Sequence, residues 1–175
     1  MLVRLTLACA FVGSALVASG LLGGCASTEP SGSSPSEPSS APAAPTRLFA
    51  NTQAGYFAAE PGVVLRNAAE VTRFAAWLRS RPRTGDVDDD VITALTRPSA
   101  AGDVRVAVAQ NVGCSSVAHV TLAAHGTDLV LVPSGTTTHP ECLRANVVVA
   151  VFAVPDELAP TDVRINGRAP STAWR

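Results

Sequence analysis

A chain of 175 residues with 13 basic and 14 acidic side chains has a formal charge of −1. Its charges form neither a basic stripe nor an acidic block, which argues against nucleic acid and against polycations as partners. Every basic residue counted there is arginine, so a Walker lysine, a Schiff-base lysine and a Ser-x-x-Lys acylase pair are excluded.

The chain opens Met1-Leu2-Val3-Arg4 and then runs without charge from Leu5 to Gly24. A basic start, an apolar middle and a small-residue exit form the layout of an export signal. The run is also about as long as a membrane span, roughly 20 residues, and its ending separates the two readings. Leu22-Gly23-Gly24-Cys25 resembles the lipobox of bacterial lipoproteins. The resemblance implies cleavage before Cys25, diacylation of its sulfur, and a mature protein without a spanning helix. Such a protein stays lipid-anchored on the extracytoplasmic face of the cell membrane, since several acyl chains hold far more firmly than the single chain that binds reversibly.

The expected organisation is a signal peptide over 1–24, a lipidated N-terminus and disordered linker over 25–46, and one globular domain over 47–175. With Cys9 lost in the signal and Cys25 lipidated, Cys114 and Cys142 remain. An even pair of thiols in an oxidising compartment is expected to be joined; two buried free thiols are the alternative. From Ala26 to Thr46, 12 of 21 positions are Ser or Pro and no aliphatic side chain exceeds alanine. Such a segment cannot bury enough apolar surface to offset its ordering entropy, and its reach lies between about 25 and about 65 Å. Its Ser/Thr/Pro mixture is also that of O-glycosylated stalks.

The domain has 129 residues and is neutral, with 12 Arg against 12 Asp plus Glu. Leu48–Phe57 and Val63–Arg66, split by the turn signal Glu60-Pro61-Gly62, read as a hairpin. Asn67, with Glu70 three residues on, caps a helix whose apolar positions Val71, Phe74, Trp77 and Leu78 recur at helical spacing until Arg81-Pro82. Asp86, Asp88 and Asp90 alternate like the first ligands of an EF-hand loop, but Val91 and Arg97 occupy the glycine and glutamate positions that calcium requires, so a solvated turn is the reading. Val91–Leu95 follows as a strand.

The second half alternates more clearly. Val104, Val106 and Val108 share one face of a half-buried strand, as do Val120 and Leu122 of the next. Leu129–Val132 is a short apolar strand, and His125-Gly126 is the turn before it. Asn146–Val154 is apolar on both faces, the pattern of a mid-sheet strand, and Pro155 stops it. If consecutive strands pair, 104–110, 117–124, 129–132 and 144–154 form an antiparallel meander that brings Cys114 and Cys142 to one edge. Val163 and Ile165 form a last strand before Asn166-Gly167. The fold class is thus α+β, mainly β: an antiparallel sheet packed with one amphipathic helix and one disulfide.

Chemistry is sparse. His119 lies on a polar strand face, His125 in a turn and His139 before Pro140 in a loop. A zinc site from His139, Cys142 and Cys114 would suit that ion, but no Cys-x-x-Cys pair is present and the two cysteines are assigned to a bridge. Ser115 or Ser116 with a nearby histidine would make a nucleophile–base pair, without a Gly-x-Ser-x-Gly elbow. No catalytic residue, metal or cofactor is assigned. Val87–Leu95, Gly113-Cys114-Ser115, and Cys142-Leu143-Arg144-Ala145 through Phe152-Ala153-Val154-Pro155 resemble small secreted proteins of actinobacteria. The helix-then-strand order is similar, more distantly, to the C-terminal domain of protease complex subunit PrcB, which implies a non-catalytic module and carries over no functional residue. The leading expectation is a lipid-anchored, non-catalytic binding or scaffolding domain with the membrane and an envelope protein as partners. A cell-envelope hydrolase and a carrier of a small apolar ligand are the alternatives.

Overall fold

The computed structural model describes residues 43–82 and 87–175. The signal peptide, Cys25, most of the linker and Asp86 lie outside the described residues. Nine strands, two α-helices and one 3-10 turn (Asp156–Leu158) are formed by the described residues, which are mainly β with antiparallel pairing, as the alternating patterns require.

A four-stranded antiparallel sheet lies at the centre. Its strands are β1 (Thr46–Asn51), β8 (Asn146–Pro155), β3 (Asp103–Gly113) and β2 (Gly62–Leu65), in that spatial order. The unbroken apolar run of β8, Val147 to Val154, is buried along its whole length, because both of its faces are covered. Val149 and Val151 face a core that also contains Phe74, Leu78, Val91 and Leu95 from the helices. Val148, Ala150, Phe152 and Val154 face a second core with Val120, Leu122, Leu129, Leu131 and Ile165. That second core is closed by a three-stranded sheet of β5 (His119–His125), β6 (Asp128–Ser134) and β9 (Arg164–Ile165). The layers are therefore helices, central sheet and outer sheet.

The first helix, α1 (Ala68–Ser80), begins as its sequence requires. Asn67 Oδ1 accepts from Glu70 N at 2.9 Å, and Glu70 Oε2 accepts from Arg66 N at 2.7 Å, so two otherwise orphaned donors are satisfied. Its buried stripe is Phe74, Ala75 and Leu78, while Val71 and Trp77 are half-buried. Phe74 stacks on Trp77 at 5.6 Å and meets the edge of Trp174 at 5.9 Å, which draws the C-terminus onto the helix.

Three expectations are corrected. Val91–Leu95 is not a strand, and Asp88, Asp89 and Asp90 are not in a turn: Val87–Leu95 is a second helix, α2. Val87, Val91, Ile92, Ala94 and Leu95 are buried at helical spacing; the five-residue window was too short to reveal that period. Asp88, Asp89 and Asp90 occupy the first turn, where the positive end of the helix favours carboxylates.

The expected hairpin of 48–57 with 63–66 also fails, because β1 pairs with β8 and β2 with β3, at opposite edges of the sheet. At Gly62 the chain enters β2 with φ +151°, and a Cβ there would stand 2.4 Å from the carbonyl oxygen of Ala107. Only glycine permits that approach.

The meander survives only in its middle. β5 and β6 form the expected hairpin through Gly126 (φ +60°), with His125 opposite Asp128. β3 pairs directly with β8, Val106 opposite Phe152, and the hairpin belongs to the other sheet. Burial explains the choice. β8 is apolar on both faces and β3 buries Ala107 and Ala109 on one face and Val104, Val106 and Val108 on the other, so both can sit mid-sheet, whereas β5 exposes His119 and Thr121 on one face and suits an outer layer. Residues 114–145 are thus an excursion between two neighbouring strands, and β9 runs parallel to β6 at its far edge.

Candidate functional site: the stapled arm

Gly113 ends β3 opposite Asn146, the first residue of β8, so the excursion leaves and returns at one point. Cys114 and Cys142 are joined across this neck, with Cα atoms 5.6 Å apart. The bridge expected from the cysteine count is present, although direct pairing of β3 with β8, and not a meander, brings the two residues together.

Immediately beyond the bridge a two-residue ladder forms between β4 (Ser115–Ser116) and β7 (Thr137–Thr138), pairing Ser115 with Thr138 and Ser116 with Thr137. His139 N donates to Cys114 O at 3.0 Å, and Asn146 Nδ2 donates to Ser115 O at 3.0 Å. The disulfide, the ladder and these two bonds hold the arm at the end of the central sheet.

The ladder sets His139 Nε2 3.3 Å from Ser116 Oγ. Of the serine–histidine pairs considered from sequence, this one has hydrogen-bond contact. Ser116 Oγ also lies 3.4 Å from Thr137 O, and a hydroxyl has one proton to give. Donation to Thr137 O leaves His139 as the donor to Ser116; donation to His139 Nε2 gives the orientation that general-base chemistry needs. No hydrogen bond to a carboxylate orients His139 among the described residues. Ser115 Oγ sits 3.4 Å from Thr138 Oγ1. His119 is exposed on β5, beside Arg47, whose Nη1 donates to Val120 O at 3.1 Å and ties the sheets together. His125 ends the same strand. With Cys114 and Cys142 bonded to each other, His139 stands next to a disulfide and not to two thiolates, and the zinc set is not assembled.

Sequence reasoning missed Leu143. It follows Cys142 in a stretch, 139–144, that is exposed throughout, and its relative exposure of 109% leaves it without packing. The signal was its place beside a cysteine between polar residues, Glu141 and Arg144, where no strand or helix period claims it. Among the described residues no helix is long and apolar enough to cross a membrane. Comparison with protein-family models, with curated proteins and with solved structures gives no match in any of the three.

Proposed function

We propose that the chain is an extracytoplasmic lipoprotein, anchored through Cys25, whose domain is a non-catalytic binding module that engages an envelope protein through the stapled arm. Leu143 is the observation that carries this reading. A leucine held clear of the protein surface forgoes the roughly 1.5–3 kcal/mol that burial supplies, and here it stands on a loop fixed by a disulfide and a β-ladder. A preorganised loop loses little conformational entropy on docking, and a few side chains fully desolvated in pockets carry most of the energy of an interface. The partner surface is then an apolar pocket with a polar rim that meets Glu141 and Arg144.

A photo-crosslinking residue at position 143, introduced in living cells, tests this. It should capture one envelope protein that the same residue at position 73, on the exposed side of α1, does not. Identical adducts from both positions would overturn the proposal. A fatty-acid analogue should label the wild type and not Cys25→Ala; equal labelling would remove the anchor.

The Ser116–His139 contact favours a second reading, a cell-envelope hydrolase. Its test is fluorophosphonate labelling of the purified chain. Modification of Ser116 that disappears in His139→Gln would replace the binding reading, and an unlabelled Ser116 would end the hydrolase one.

A further inference from the structure

On the helical side of the central sheet, the start of α1, the end of α2 and the first residues of β3 line an open cavity of about 320 Å³. That volume is at the lower end of small-molecule sites, which run from about 300 to about 1,000 Å³. Three arginines line it from separate elements: Arg66 before α1, Arg97 after α2, and Arg105 on β3.

Each is held by neutral oxygens. Arg105 Nε donates to Leu95 O at 3.3 Å, its Nη2 to Arg97 O at 2.5 Å, and its Nη1 to Ser99 Oγ. Arg97 Nη1 donates to Leu48 O at 2.7 Å. Arg66 donates to Ala159 O at 2.7 Å and to Pro160 O at 2.6 Å. Carbonyl and hydroxyl oxygens fix these side chains without cancelling their charge. Among the described residues only Arg66 has a carboxylate within ion-pair distance, Asp156 at 3.2 Å. Asp103 is the acidic side chain in the cavity wall.

By the donor inventory of guanidinium, five N–H groups each, Arg97 keeps its Nε and Nη2 hydrogens, and both Nη atoms of Arg105 keep one. Leu65, Val71 and Leu95 supply the apolar part of the wall. We propose that this cavity binds a small organic carboxylate with a short apolar tail, the carboxylate on Arg97 and Arg105 and the tail against Val71 and Leu95. Arginine forks match a carboxylate in geometry as well as in charge, and their tethers leave little side-chain freedom to be lost on binding. The site is independent of the arm and stands whether or not Leu143 has a partner.

Calorimetric titration of the purified full-length chain at low salt tests it, with hexanoate as probe and hexanol and inorganic phosphate as comparisons. Hexanoate should bind at one saturable site, with hexanol and phosphate at least tenfold weaker. Arg97→Glu should weaken hexanoate at least tenfold. Asp103→Asn, which removes the like charge, should tighten it about threefold, a gain that a damaged fold would not produce. Hexanol or phosphate matching hexanoate would overturn the proposal, as would Asp103→Asn that binds no better than wild type.

Discussion

Replacing both Cys114 and Cys142 by serine removes the staple with little other disturbance, because Cys142 is exposed and Cys114 half-buried and neither serine leaves a void in either core. The bridge spans a sequence separation of 28. In the chain-entropy treatment a loop of that length restricts the unfolded chain by about 3.6 kcal/mol at 25 °C. That is a large share of the ~5–15 kcal/mol by which a domain is stable, and in a domain of this size it lowers the melting temperature by roughly 10–15 °C. Urea unfolding of the two proteins, followed by far-UV circular dichroism, measures the difference in midpoint. Hydrogen exchange then locates it. The ten paired positions of β3 and β8 should remain the slowest-exchanging amides of the variant, while the β4–β7 ladder, with two pairs, should open. A loss below about 1 kcal/mol would refute the reasoning, and so would early opening of β3 from β8, because the staple would then be holding the native sheet together and not restraining the unfolded chain.

Gly62→Ala places a Cβ 2.4 Å from Ala107 O at a φ of +151°. Backbone strain and overpacking together should cost about 2–4 kcal/mol in urea melts, and a variant as stable as wild type would show that β2 can shift. Asn67→Ala removes the Oδ1 acceptor for Glu70 N and should cost about 1 kcal/mol. Because the cap is exposed, the loss should appear first as faster exchange of the Glu70 and Val71 amides, which donate to Asn67.

The parts of the fold that were legible had local causes. Asn67 and Glu70 mark the start of α1 because a cap is satisfied within four residues, and Arg81-Pro82 ends it. The two-sided apolarity of 146–154 identifies a strand covered on both faces, whichever elements cover it. The β5–β6 hairpin follows from a two-residue period around a glycine turn. The helical period of α2 was legible in principle, but only if Val87 is counted together with Leu95 across the three aspartates.

The sequence alone settled the inventory: a neutral, lysine-free domain of mainly β class, one capped helix, one fully buried strand, and two cysteines within the domain. The tertiary structure decided which strands are neighbours, and with that every candidate site. A strand's period states which side chains share a face and is silent on which strand lies beside it; that is settled by the joint burial of two cores. Direct pairing of β3 with β8 closes the neck at Cys114 and Cys142 and sets His139 beside Ser116. Arg66, Arg97 and Arg105 belong to three separate elements, so no single helix or strand period relates them, and they line one cavity because α1 and α2 pack on the same face of the sheet.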